Sequence, residues 1–551
     1  MREDSQIPNN SVVKNRTLPI CSWPVLSAAI VVLVALSIRL IYYWQVRGSP
    51  LFRFPQIDAK AYDLLAQEFA KGNLLSPHGQ PYWQPPFYPL FLAVIYAIFG
   101  HSLVAVRIVQ FALGALSCLL IYLTAFRRFG QRAALLAGLF CATNASLIYY
   151  EGELLTPSLT IFLNLMVIWL LTLYEDDPRP WRLGLAGVLL GLSGITRPDV
   201  LLFSPAVLVW LILQRRPDLM LAVALFAVGV AFPIAVVTTR NYIVSREPVL
   251  ISWNGGINFY IGNSKYSDRM QMLRPGPDWN WLEAMPVREG YIAGSARSAY
   301  FYRKAFSEIR SNPILFAKLF VKKAIVFWNA REIRRNHDDY YNRRVSLLYR
   351  ILLWKNGRFG FPFGILGPLS LLGMVLYLRR KRELVLFYGY VFSQYVAVIL
   401  FFVCSRYRAP TIPILCIFAA GAVFEVARLL RQRDFYSVIS SILILIPLVY
   451  ISLIDNPLAS ENQRIVDAET YGYVGEAEMQ LGNLNAAMED LRRSVALDPK
   501  VGWTRSALTE VYVRLGMMQE ARREWNAAIK LDPTLDNYNT QQQAEAKNQK
   551  E

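Results

Sequence analysis

A set of charged residues stands out because of where it falls in the chain. Asp58 follows the first long apolar run, and Arg107, Glu151, Glu153, Arg197, Asp199, Arg240, Arg406 and Arg408 each sit at or beside the end of another. A charge beside lipid is costly to keep unless it is paired, wetted or used. The planar fork of arginine suits a phosphate, to which it donates two hydrogen bonds at once. A carboxylate beside it suits the removal of a proton from a hydroxyl. Together, next to a membrane, these groups point to transfer from a lipid phosphate; a transporter of an anionic substrate would use the same parts. Any one of these residues has a plainer explanation, since helix ends are where charged side chains reach water. The set resists that explanation, because short outer loops disfavour arginine.

The elements that must position these groups are apolar runs recurring from residue 24 to residue 454. A membrane-crossing helix takes about 20 apolar residues. The runs predict helices over 24–44, 103–126, 133–150, 156–174, 181–195, 199–213, 218–240, 361–378, 384–403, 409–430 and 436–454, about eleven spans. The expected fold class is all-α: a polytopic transmembrane helical bundle followed by a helical domain.

Orientation follows from Lys and Arg in short loops. Lys14 and Arg16, Arg127, Arg128 and Arg132, Arg179 and Arg182, Arg215 and Arg216, the run Arg379–Arg382 with Lys381, and Arg428, Arg431 and Arg433 all fall on one face. That face is the cytoplasmic one, so a short N-terminal tail over 1–20 is inside and the C-terminus outside. The assignment requires that 84–100 be re-entrant or interfacial, and that 313–328, with Lys318, Lys322 and Lys323, lie on the outer surface. Asp58 and the arginines then share the outer side with two large loops, 45–102 and 241–360, within a membrane domain over 21–455.

Beyond residue 455 the chain turns polar and repeats itself. Leu481-Gly482 recurs as Leu515-Gly516, Ala487 as Ala521, and Leu497-Asp498-Pro499 as Leu531-Asp532-Pro533, each pair 34 residues apart. That period, with small residues at packing positions and Pro at the boundary, is the tetratricopeptide pattern. A repeat domain is expected over 460–535. Two repeats are few for independent stability, so packing on the membrane domain or on a protein partner is expected. The polar tail over 536–551 is expected to be disordered.

Composition narrows the function classes. The net charge of +18 would suggest nucleic acid in a soluble protein, but these charges sit in membrane loops. The five cysteines lie in or beside apolar segments without CxxC spacing, and the three histidines are scattered. No motif indicates a metal; the cofactor stays unknown, with a divalent cation left open. The first apolar run is too long for a signal-peptide core and is expected as an uncleaved anchor.

Motifs sharpen this reading. Asp58-Ala-Lys-Ala-Tyr62-Asp63, Gln84-Pro85-Pro86-Phe87-Tyr88-Pro89, Glu153-Leu-Leu-Thr156, Thr196-Arg197-Pro198-Asp199 and Arg240-Asn241-Tyr242 follow in order. After them come Asn254-Gly255-Gly256-Ile-Asn258-Phe-Tyr260-Ile-Gly262-Asn263, Phe327-Trp328-Asn329 and Arg406-Tyr407-Arg408. In their order and placement the chain, over about 20–430, resembles the polyprenyl-phosphate-sugar transferases of glycosyltransferase family 39. That family and its relatives include the protein O-mannosyltransferases and the lipid A aminoarabinose transferase, all with the GT-C membrane fold.

The resemblance implies a polyprenyl-phosphate sugar donor, an acceptor hydroxyl on a lipid, glycan or protein, and an inverting displacement at the extracytoplasmic face, in a bacterial cytoplasmic (inner) membrane. It implies Asp58 as catalytic base, although better-known members carry an Asp-Glu pair where this chain has Asp58-Ala59. Asp58 as N-cap of a helix over 59–71 is the competing role. The phosphate leaving group would be met by Arg240, Arg406 and Arg408, with Arg197 as a further choice. Glu153 and Asp199 either join the substrate site or pair with those arginines. Tyr62, Asn254, Asn258 and Tyr260 are expected to meet the substrate, the last three in a Gly-rich segment that otherwise reads as a turn cluster.

Two other classes compete. A multispan transporter or flippase would show related halves or matching broken helices, and neither is present. A membrane scaffold acting through its repeats would leave the outer acid and arginine set unexplained.

Overall fold

The computed structural model describes residues 23–75, 79–271, 273, 277–456, 458, 462–532 and 535. The expected tails at 1–20 and 536–551, with Lys14 and Arg16, lie outside these residues, as does Pro533.

The membrane part begins with α1 (Trp23–Val46), a short α2 (Pro50–Arg53), α3 (Asp58–Ala70) and α4 (Phe87–Phe99). Then follow α5 (Leu103–Phe129), α6 (Gln131–Ala142), α7 (Ala145–Gly152), α8 (Pro157–Asp176) and α9 (Pro180–Gly194). A 3-10 turn over Pro198–Leu202 leads into α10 (Phe203–Leu213) and α11 (Leu219–Ser245). Among the described residues, six helices are long and apolar enough to cross a membrane: α1, α5, α8, α11, the Ser405–Arg431 run and Phe435–Ser452. A seventh arises if α6 and α7, bent by 49°, count as one span. The protein is a multi-pass membrane protein.

The expected spans over 199–213, 361–378 and 384–403 are shorter apolar helices. The 84–100 segment forms only the 13 residues of α4. At 1.5 Å per residue that is about 20 Å, less than a bilayer core.

Three of the Arg-rich loops meet at one end of the bundle. Arg128 reaches Glu175 at 2.5 Å, Arg216 donates to the Glu175 carbonyl at 3.2 Å, and Arg380 to the Arg128 carbonyl at 3.0 Å. Mid-bundle, α1 carries Arg39, which donates from Nε and Nη2 to the Glu151 carboxylate at 2.5 and 2.7 Å. Buried in an apolar bundle, each of these charges needs the other. A Cβ at Gly114 of α5 would strike that carboxylate and push it from its place against Arg39.

The large second loop folds as α12 (Gly255–Asn263), α13 (Ser267–Gln271), α14 (Pro277–Arg288), α15 (Gly294–Ser311) and α16 (Pro313–Phe327). An irregular stretch from Trp328 to Tyr340 leads to α17 (Leu347–Leu352) and one hairpin, β1 (Trp354–Asn356) with β2 (Phe359–Phe361), where Trp354 pairs with Phe361. The chain returns through α18 (Phe363–Leu376), α19 (Val385–Leu400), α20 (Ser405–Arg408), α21 (Ile412–Arg431) and α22 (Phe435–Ser452). The loop has its own core, with Ile257, Tyr260, Ile261, Tyr300, Phe301 and Phe327 among its buried residues.

The C-terminal helices α23 (Gln463–Gln480), α24 (Leu484–Leu497), α25 (Gly502–Arg514) and α26 (Met518–Leu531) form two hairpins. Residues 34 apart take matching places. Gly482 and Gly516 both turn the chain with positive φ, 82° and 77°, and Ala487 and Ala521 are both buried. These helices lie on the face that carries Asp58, for the Gln56 amide donates to the Tyr473 carbonyl at 2.8 Å.

Candidate active site

The first turn of α3 presents Asp58. The residue before it, Ile57, has φ 53°. A β-branched residue with positive φ is strained by about 1–3 kcal/mol, and such strain gathers where a side chain must be aimed. Asp58 does not act as an N-cap: Ile57 holds that position, with no side-chain cap bond. The Asp58 carboxylate instead accepts from Nη1 of Arg406 at 2.6 Å and from Asn336. Burial pushes the carboxyl pKa up, but the Arg406 charge, the bonds from Arg406 and Asn336, and nearby Arg335 outweigh it. The net result is a pKa below the usual carboxylate value.

Arg406 is supplied by α20. Its Nη1 binds Asp58, while its buried Nε has no acceptor. Behind it, the turn after α9 places Arg197 against Asp199 in a two-point pair, Nε to Oδ1 at 3.1 Å and Nη2 to Oδ2 at 2.5 Å. Arg197 also donates to the Arg406 carbonyl at 3.4 Å and sits 4.7 Å from the Tyr407 ring centre. Asp199 thus orients an arginine, one of the two roles the sequence left open for it.

Two adjoining chambers surround these groups. The outer, about 300 Å³, is lined by Asp58, Trp83, Gln84, Trp279, Arg335 and Asn336 among others. The inner, about 370 Å³, is lined by Thr156, Thr196, Arg197, Asp199, Tyr302 and Phe402 among others. Tyr62, Asn254, Asn258, Arg406 and Tyr407 line both. Leu250 of the inner chamber also lines an apolar groove of about 580 Å³ between α10 and α11.

Asp58, Tyr62, Arg197, Asp199, Asn254, Asn258 and Arg406 therefore come together. Four expected site residues do not. Arg240 lies over the Tyr82 ring at 3.8 Å and donates to the carbonyls of Leu74 and Gln80, so it clamps the loop between α3 and α4. Arg408 turns away from Arg406, because residues two apart on a helical turn point about 200° apart. It is buried against Glu332 at 2.9 Å, donates to the carbonyls of Phe327 and Asn329, and stacks on Phe363. Tyr260 is a third correction. The Gly-rich segment is helix α12, where Asn254 and Asn258 share one face and Tyr260 points the other way, donating to Glu308 at 3.1 Å. The glycines there serve packing: a Cβ at Gly262 would strike the Phe401 carbonyl. Glu153 lines neither chamber. Buried near Arg107, its pKa is pushed up to about 7 by that burial, which the Arg107 charge only partly offsets.

Arg335, Asn336 and Trp279 were not expected. The first two lie in the irregular stretch before Tyr340, where no periodicity marks a facing side. Runs of Arg and Asn in a polar loop carry no signal of their own. Among the described residues, no group of three or more His, Cys, Asp or Glu side chains is placed to hold a metal ion.

Residues 83–240 match the family model described as dolichyl-phosphate-mannose-protein mannosyltransferase. The match runs from the Trp83 wall through the Arg197–Asp199 turn to Arg240 in the last turns of α11. The structure is similar to the apo oligosaccharyltransferase of Archaeoglobus fulgidus, with TM-score 0.43, 14% identity, and coverage of 82% of this chain and 58% of that one. It is similar to ArnT from Cupriavidus metallidurans in the apo state, with TM-score 0.42, 15% identity, and coverage of 92% and 77%. It is also similar to ArnT bound to undecaprenyl phosphate, with TM-score 0.35, 14% identity, and coverage of 92% and 75%. The chain spans less than two thirds of the length of the oligosaccharyltransferase. No curated protein matches it.

Proposed function

We propose that this protein is a GT-C-type membrane glycosyltransferase that moves a sugar from a polyprenyl-phosphate donor to an acceptor hydroxyl on the extracytoplasmic face. The observation that carries the reading is the Asp58–Arg406 contact, a base and a phosphate-binding group touching inside one cavity. The family match over 83–240 supports the same class.

The donor's lipid tail lies in the groove between α10 and α11, and its phosphate enters the inner chamber through the Leu250 boundary. Arg197, held in place by Asp199, and the unpartnered Nε of Arg406 meet the phosphate oxygens. The sugar extends past Asn254 and Asn258 toward the outer chamber, where the acceptor enters beside Asp58.

In the resting site Arg406 neutralises Asp58 and weakens it as a base. An arriving phosphate competes for Arg406, and its negative charge raises the proton affinity of the carboxylate. Asp58 then takes the acceptor's hydroxyl proton as the oxygen bonds to the anomeric carbon. The bond from that carbon to the phosphate oxygen breaks, and its electron pair leaves with the polyprenyl phosphate. The leaving group is already an anion held by arginine, so no general acid is required. The displacement inverts the anomeric centre.

The basic loops face the cytoplasm in this reading, in a bacterial inner membrane, and α23–α26 are tetratricopeptide-type repeats outside it. The membrane domain takes 21–455 and the repeats 460–535; a partner protein would dock on the repeats. Membranes containing the protein, given a panel of labelled undecaprenyl-phosphate sugars, should yield a labelled glycoconjugate absent from Asp58→Asn membranes. Failure of every donor to pass label above that control refutes the reading.

A further inference from the structure

The stretch between Asn329 and Tyr340 divides its side chains between two neighbours. Arg335 and Asn336 line the outer chamber, and Asn336 donates to Asp58. The flanking residues grip α23. Arg334 pairs with Glu469 at 2.7 Å, with both side chains nearly buried, and the His337 ring meets Tyr473 edge-on with centroids 5.0 Å apart. Tyr473 is itself backed by Trp503 of α25, a stacked pair with centroids 4.9 Å apart. The same Tyr473 accepts, at its carbonyl, the bond from Gln56, which precedes the strained Ile57 and Asp58. One turn of α23 therefore holds both strands of chain that build the outer chamber.

We propose that the C-terminal helices are a working part of the active site, with Glu469 and Tyr473 as positioning residues that set Asn336 and Arg335 against Asp58. The protein's own loop occupies the Glu469–Tyr473 face of α23. The strain at Ile57 explains why such a clamp is needed: a left-handed isoleucine relaxes unless its neighbours hold it. A simple tether would not require contacts on both sides of the two cavity-lining residues. Arg344 and Asp467, paired at 2.6 Å, belong to the same interface but lie away from the chamber.

The proposal rests on the transferase reading, and its test separates the two. Full-length protein in liposomes is prepared as wild type, Arg334→Glu, Glu469→Arg, the charge-swapped double variant, Gln56→Ala and Arg344→Gln. Sugar transfer from the labelled undecaprenyl-phosphate sugars is measured beside hydrogen exchange over 329–345. Each single reversal is expected to raise exchange there and to lower kcat roughly tenfold to 100-fold, as small misplacements of a site do. Each should also move the acid limb of kcat/KM upward, as Asn336 leaves Asp58. The double variant should return to within about threefold of wild type, because restored contact couples the two changes. Gln56→Ala should slow transfer in the same way without any buried charge being reversed, and Arg344→Gln should leave the rate near wild type. Unchanged exchange in the reversals overturns the proposal, as does unchanged transfer in both the reversals and Gln56→Ala. An Arg344→Gln loss equal to that of Arg334→Glu also overturns it, by reducing the effect to docking. A wild type that transfers no sugar refutes the transferase reading instead; the exchange of 329–345 in Glu469→Arg and the double variant then decides the clamp alone.

Discussion

Nη1 of Arg406 donates to the Asp58 carboxylate at 2.6 Å across 348 residues of sequence. The contact joins the loop after α1 to the start of the Ser405–Arg431 span and sets the charge state of the site. Its consequences differ with and without a donor, and that difference can be measured.

Without donor, Asp58 is held below the usual carboxylate range, so the acid limb of kcat/KM should fall there. The limb of kcat should lie at higher pH, since bound phosphate draws Arg406 away. Arg406→Gln should raise the kcat/KM limb toward the ordinary carboxylate value. The same sign governs stability. A depressed carboxyl contributes stability above its unfolded pKa and loses it as pH falls through its folded pKa. Coincident limbs for kcat and kcat/KM in the wild type would contradict the donor-driven exchange.

Arg406 and Arg408 should fail in different ways. Arg408→Ala leaves Glu332 buried and unpaired, a loss of about 3–5 kcal/mol, and should appear as lower thermal stability and yield. Arg406→Ala should cost less stability than Arg408→Ala, since its partner Asp58 is part-exposed to the chamber, while losing transfer. The chain signals that arginine is wanted at both positions, yet the division of labour between them is illegible in sequence. Only the placement of α20 decides which one faces the cavity.

Arg240→Gln should leave the donor KM within about twofold, since its guanidinium binds backbone carbonyls of the first loop and meets no chamber. A donor KM raised by tenfold would return it to the phosphate site. Much of the site was readable because it combines an acid and arginines beside the ends of apolar runs. That signal marks depth in the membrane but carries no direction around a helix axis. Asn254, Asn258 and Tyr260 were all chosen by residue type in a Gly-rich segment; that segment is a helix, which keeps the two amides on the chamber and turns Tyr260 away. Arg335 and Asn336 could not be found, because irregular chain has no period to read. The broken pair α6–α7 and the short apolar helices likewise look like ordinary spans until packing shows their ends.

Glu153, its pKa pushed up to about 7 by burial, should give the solubilised protein a pH-dependent stability of defined sign. Its contribution is full below the unfolded carboxyl pKa and is lost as pH rises through about 7. Glu153→Gln should remove that part, so its melting temperature should fall less than that of wild type between acid and neutral pH. An equal fall in both would assign the dependence elsewhere.

The most direct test of the account is the affinity of purified wild type, Asp58→Asn and Arg406→Gln for undecaprenyl phosphate, measured alongside sugar transfer. Arg406→Gln should weaken binding. Asp58→Asn should bind at least as tightly as wild type, because the carboxylate no longer competes for Arg406, yet transfer should drop by about 10²–10⁴-fold, the scale of a lost general base. Asp58→Asn that binds as poorly as Arg406→Gln, or that still transfers sugar at the wild-type rate, would contradict it.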